Sequence, residues 1–230
     1  MIPLRDDNPA QRVPIVTRGM IVLNVLAFVY ELSLPDGTRE FLRDWGLVPG
    51  RLFAALTGET SLPVELLTLV TSMFLHGGWL HLIGNMWYLW IFGDNVEDRL
   101  GHGRFLLFYL AAGIVASLIH SALMPGSPMP TVGASGAIAG VLGAYAFAFP
   151  RAKVLTLVPI FFFFQIIAIP ALILLGIWFA FQFIAGTMSF GVARGSGGVA
   201  WWAHIGGFVF GFLVMMMFSR RVTSRAEVVD

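Results

Sequence analysis

Six apolar runs dominate this sequence and decide what it can fold into: Met20 to Leu34, Leu80 to Val96, Phe105 to Leu123, Ala134 to Phe149, Ala168 to Ala185 and Val199 to Phe218. A hydrocarbon layer about 30 Å thick takes about 20 helical residues at about 1.5 Å each, so each run is read as a membrane span. Composition excludes the soluble alternative. Apolar residues make up 57% of the chain and charged ones 12%, against about 45–50% and about 25% in soluble domains. So few charges cannot clothe a globule while 21 Phe and 7 Trp seek burial. The expected fold is an all-α membrane bundle of six transmembrane helices.

The distribution of Lys and Arg gives the expected orientation. With the N-terminus inside, the cytoplasmic segments carry Arg5, Arg12, Arg18, Arg99, Arg104, Arg151, Lys153, Arg220, Arg221 and Arg225, which is 10 of the 14 basic residues. Arg39, Arg43, Arg51 and Arg194 fall outside, so the positive-inside rule favours six spans with both termini cytoplasmic. The 230 residues make one domain: a six-span body over 20–218 between cytoplasmic tails at 1–19 and 219–230. The opening MIPLRDDNPAQRVP has no small-residue cleavage site, so the first span is expected to be an uncleaved anchor. The short tails and compact core suggest a bacterial inner membrane. Two further apolar stretches, Val64 to Leu75 and Val154 to Phe164, are too short to span and read as interfacial or re-entrant pieces.

Several function classes drop out early. A net charge of +1 offers no basic face for nucleic acid. Zero cysteines remove disulfides, thiolate metal sites and a thiol nucleophile. Any nucleophile is therefore an oxygen or a nitrogen.

Polar side chains within spans are costly and count as functional candidates. The notable ones are His81, Asn85, His120, Gln182 and His204, with Asn24 in the first span expected to bond across to another helix. His81 and Asn85 stand i, i+4 on one helix face. Ser135 sits in Gly133-Ala-Ser135-Gly136 at the start of the short fourth span. There, free backbone N–H groups and the positive helix end favour a developing oxyanion, although such a serine is more commonly a plain N-cap. Spans two, four and six all start outside, so His81, Asn85, Ser135 and His204 share one depth. Gly136-x-x-x-Gly140 and Gly207-x-x-x-Gly211 are small-residue ridges that let two helices approach closely. Packing ridge on ridge would bring Ser135 within reach of His204, with imidazole as the proton acceptor. No acid is placed to complete a triad, which leaves a Ser-His dyad. His81, Asn85 and the Ser135 N–H would then serve as oxyanion donors. A metal would need carboxylates or closely spaced histidines, and no H-E-x-x-H occurs.

Taken together, these pieces resemble the rhomboid intramembrane serine proteases. The resemblance rests on His81-x-x-x-Asn85, Glu97-x-x-x-Gly101, Gly133-Ala-Ser135-Gly136 and Ala203-His204-x-Gly-Gly207-x-x-x-Gly211, in that order, and covers Ile15 to Phe218. It implies a nucleophile at Ser135, a base at His204, oxyanion support from His81 and Asn85, and no cofactor. Its implied substrates are membrane-anchored proteins cut within or beside a transmembrane helix, in a lipid setting. It also likens the fifth span, with Phe179, Phe181 and Phe183, to a lateral gate, and the loop bearing Met188 and Phe190 to a cap. Two positions depart from the pattern: Ala139 stands where some members place an aromatic against the catalytic histidine, and Trp45 is followed by Gly46 rather than Arg. Trp201 or Trp202 is expected to hold His204 instead. Glu97 with Arg99 reads either as a solvated turn or as a tie to the third span. The competing function is a non-catalytic rhomboid-like protein that binds membrane clients.

Overall fold

The computed structural model describes residues 1–34, 38–160, 163–189 and 199–226, with 219–226 as backbone. Nine helices run through these residues: α1 (Ile15–Leu32), α2 (Thr38–Trp45), α3 (Pro49–Leu56), α4 (Leu62–Thr71), α5 (Trp79–Leu100), α6 (His102–Leu123), α7 (Ser135–Ala148), α8 (Ala171–Ser189) and α9 (Trp201–Ala226). Four of them, α1, α6, α8 and α9, are long and apolar enough to cross a membrane. A fifth candidate joins α4 and the single 3₁₀ turn Ser72–Phe74 to α5 across an 80° bend. The chain is an integral multi-pass membrane protein. Each predicted run holds one helix: α1, α5, α6, α7, α8 and α9 in order. Val64 to Leu75 is helical and short, continuing through the 3₁₀ turn before the bend.

The helix α7 lies at the centre. Every residue from Gly136 to Ala146 is buried, and its 14 residues reach only about 21 Å, too short to cross a layer of about 30 Å from face to face. Glycine makes this crowding possible. A Cβ on Gly207 or Gly211 of α9 would strike the carbonyl oxygen of Gly136 or Gly140, and one on Gly140 would come within 2.6 Å of Ala112 Cβ on α6. The two ridges therefore meet backbone to backbone, the arrangement that replaces hydrophobic drive inside lipid.

The second short apolar stretch is a correction. Val154 to Phe164 is not helical, as Val64 to Leu75 is, but extended: it supplies β2 (Lys153–Ile160) and opens β3 (Phe163–Pro170). With β1 (Ile2–Asp6) these form an antiparallel sheet in the order β1-β2-β3. Alternating Val154, Thr156, Val158 and Ile160 are β-formers, and this local preference outweighs the overall apolarity. Pro159 lies past Leu157, the last β2 residue paired with β1, where one side of the strand has no ladder to break. The helical bundle thus carries a small sheet. It adjoins the far end of α7, where the Tyr145 hydroxyl donates to Asp6.

A buried carboxylate ties the bundle together. Glu97 on α5, 1% exposed, accepts from the N–H groups of Val16 and Thr17 at 2.9 and 2.7 Å and from the Thr17 hydroxyl at 2.6 Å. It also meets His102 Nδ1 at 2.6 Å. It caps the N-terminus of α1, whose first amides have no partner within the helix, and reaches the first residue of α6. The solvated-turn reading of Glu97 is therefore set aside. Asn24 differs from expectation as well: its amide donates to Met20 of its own helix.

Candidate active site

The chain enters α7 through Gly133, whose φ of +118° suits glycine. Gly133 N–H donates to the Ser72 carbonyl at 2.8 Å, and Thr131 pairs with Leu47, so the segment between α6 and α7 is held against the 3₁₀ turn and the link between α2 and α3. Ser135 then opens the helix. The first backbone bond of that turn runs from Ile138 N–H to the Ala134 carbonyl, so the N–H groups of Ser135, Gly136 and Ala137 come before the helical ladder. A narrow cleft here is lined by Ser72, Thr131, Gly133, Ser135, Gly136 and Ala200, among others.

His204, on the first turns of α9, faces this helix start. Its Nε2 lies 2.8 Å from Ser135 Oγ, and its Nδ1 lies 2.6 Å from Gln182 Oε1 on α8. Gln182 and His204 are both buried, 5% and 8% exposed. The ring sits 6.0 Å from Trp178 in a tilted contact and 6.3 Å from Trp201 in an edge contact. Of the two tryptophans expected to hold it, Trp201 does so, and Trp178 joins from α8.

The other pair arrives from α5. A Cβ built on Gly133 would lie 2.7 Å from His81 Nε2 and 3.4 Å from Asn85 Nδ2, so both nitrogens converge beside the residue two before Ser135. Their hydrogen-bond directions follow from their outer partners. Gly77 N–H donates to His81 Nδ1 at 3.4 Å, which leaves the proton on Nε2, on the side of the cleft. Asn85 Nδ2 donates to His76 Nε2 at 3.0 Å. His76 Nδ1 approaches the Phe74 carbonyl at 3.3 Å, and the His76 amide donates to the Glu31 carboxylate at 3.1 and 3.3 Å. An amide nitrogen has two protons, so the second Asn85 N–H remains for the cleft.

Ser135, His204, His81 and Asn85 are thus brought to one end of the bundle, as the sequence suggests. Three supporting residues were not assigned that place. The sequence marks Gln182 only as a polar residue in an apolar run and gives His76 and Glu31 no part in the chemistry. Their signal was polarity at the depth of Ser135. The phenylalanines of α8 pack onto α9: Phe179 on Phe208 at 4.9 Å, Phe181 on Trp201 at 5.8 Å and Phe183 on Trp202 at 6.3 Å. Met188 is 72% exposed, whereas Phe190 and the glycines of 191–198 lie outside the described residues. Among the described residues no group of three His, Asp or Glu is placed to hold a metal.

Comparison with known proteins gives a family for this arrangement. The rhomboid-domain family model matches residues 63–221. Rhomboid protease GluP of Bacillus subtilis (strain 168) is 39% identical over 132 residues, 57% of this chain and 24% of that protein. Rhomboid protein 1, mitochondrial, of Saccharomyces cerevisiae is 31% identical over 166 residues, 70% of this chain and 44% of the relative. Presenilin-associated rhomboid-like protein A of Danio rerio is 31% identical over 158 residues, 67% and 38% of the two chains. The chain spans less than half the length of these relatives. With its helical membrane bundle and a family match over most of its length, this chain belongs to the rhomboid family.

Proposed function

We propose that the protein is an intramembrane serine endopeptidase that cuts membrane-anchored proteins within or beside a transmembrane helix. The observation that carries this reading is the 2.8 Å approach of Ser135 Oγ to His204 Nε2 in a buried, largely apolar setting. His204 takes the hydroxyl proton as Ser135 attacks the scissile carbonyl carbon, and later gives it to the leaving amine. The acyl-enzyme that remains is opened by water, which His204 deprotonates in turn. The oxyanion meets the backbone N–H groups at the start of α7 together with the His81 Nε2–H and the free Asn85 N–H, two side-chain donors whose outer partners hold them in place before reaction. A peptide bond within a helix is hidden by its own hydrogen bonds, so the substrate segment must unwind before its carbonyl reaches Ser135. The Lys and Arg distribution supports cytoplasmic termini and a site at the opposite side.

The test is cleavage of a single-span reporter protein by the purified protein in liposomes. Wild type is expected to cut it, and Ser135→Ala and His204→Ala to lose turnover while keeping their thermal unfolding transition. Retained cleavage in Ser135→Ala removes the assignment, and a folded wild type that binds the reporter without cutting it favours client binding.

A further inference from the structure

The histidine of the pair is held from a helix that the reaction does not otherwise use. Gln182 and Trp178 stand one turn apart on α8, and both face the imidazole, at 2.6 Å to Nδ1 and 6.0 Å between ring centres. Gln182 lies in a stretch of Phe, Ile and Leu, where a buried amide is costly unless it is paired. Its partner is His204.

The direction of that hydrogen bond fixes the state of the base. An amide oxygen only accepts, so His204 Nδ1 carries the proton and Nε2 presents its lone pair to Ser135. With the amide turned round, its N–H would donate to Nδ1, the proton would sit on Nε2, and Ser135 would face a donor with no base. Only one chain of bonds suits an attacking serine: Ser135 hydroxyl to His204 Nε2, then His204 Nδ1–H to Gln182 Oε1. We infer that Gln182 is a positioning residue that selects the tautomer of His204 and aims its ring at Ser135, the task a carboxylate performs in a triad. This inference rests on the proposed roles of Ser135 and His204.

A neutral amide orients the ring without the charge that would stabilise the imidazolium. Substitutions separate the two effects. Gln182→Met keeps the length and loses the acceptor; kcat is expected to fall about 10- to 100-fold with KM nearly unchanged. Gln182→Glu keeps an acceptor and adds charge; it is expected to retain more activity than Gln182→Met and to move the acid limb of the kcat/KM profile to higher pH, because a carboxylate favours protonated imidazole. A role in packing alone would lower the unfolding temperature and leave that limb in place. The imidazole ¹⁵N shifts of His204 in the resting wild type give a measurement that survives if the variants fail to fold, with protonated Nδ1 and unprotonated Nε2 expected.

A folded Gln182→Met with wild-type kcat, an unmoved acid limb in Gln182→Glu, or the opposite tautomer overturns the inference. The parent reading is scored separately in the same assays. If wild type cuts and Ser135→Ala does not, while both Gln182 variants match wild type, only the role of Gln182 fails. A folded wild type that never cuts overturns both.

Discussion

Substituting Gly207 by alanine tests whether the contact between α7 and α9 sets the geometry of the reacting pair. The new Cβ would strike the carbonyl oxygen of Gly136, the residue after the serine, and would lie 3.3 Å from Ala139 Cβ. A backbone carbonyl cannot swing aside as the end of a side chain can. Restoring an ordinary contact of 3.4 Å or more parts the helices by about 1 Å, and a misplacement of that size at reacting atoms costs on the order of 10²-fold in rate. The 2.8 Å separation of Ser135 Oγ and His204 Nε2 would open to about 3.8 Å, beyond hydrogen-bond range. Overpacking of this kind also lowers stability by about 1–3 kcal/mol. The control is Gly176→Ala on α8, where an added Cβ meets nothing within 4 Å, and activity is expected to stay at the wild-type level. Initial rates in liposomes, read beside thermal unfolding in detergent, separate lost geometry from lost fold. A folded Gly207→Ala with kcat within about threefold of wild type would refute the reasoning, since a 1 Å displacement cannot be that cheap.

Other substitutions probe the remaining parts. His81→Ala and Asn85→Ala each remove one proposed oxyanion donor and should lower kcat by on the order of 10²–10³ with little change in KM, as measured on the same reporter. Glu97→Ala leaves the Val16 and Thr17 amides and the Thr17 hydroxyl without their acceptor; a loss of about 2–4 kcal/mol in stability is expected, seen as a lowered unfolding temperature. At the far end of α7, burial holds the Asp6 carboxyl above its ordinary value of 3.8, against the lowering effect of the Tyr145 hydrogen bond. The folded protein therefore binds that proton more tightly than the unfolded chain, so this group favours folding at acid pH and its contribution is lost as pH rises through the shifted range. Asp6→Asn keeps an acceptor for Tyr145 and should flatten that slope in unfolding temperature against pH; an unchanged slope would count against the assignment.

Much of the bundle was legible because lipid imposes a length and a polarity on each span, and both are written locally. The six runs and the ridges Gly136-x-x-x-Gly140 and Gly207-x-x-x-Gly211 are of this kind. The sheet was not, because Val154 to Phe164 is as apolar as a helix piece and the partner that makes it a strand, Ile2–Asp6, lies some 150 residues away in sequence. The site divides in the same way. Ser135, His81, Asn85 and His204 announce themselves by polarity at one depth and by spacing. Gln182 is equally polar, but its meaning depends on α8 packing beside α9, and the place of His76 and Glu31 depends on the bend between α4 and α5. Glu97 could be read either way until the N-terminus of α1 was seen to rest on it.

The central claim is that His204 activates Ser135, and a covalent label reads it directly. The purified protein in detergent is treated with a fluorescent fluorophosphonate, and the adduct is located by peptide mass spectrometry in wild type, Ser135→Ala and His204→Ala. The account predicts an adduct on Ser135 in wild type and none in either variant. A folded wild type labelled on a different serine, or labelled as fast in His204→Ala, would contradict it.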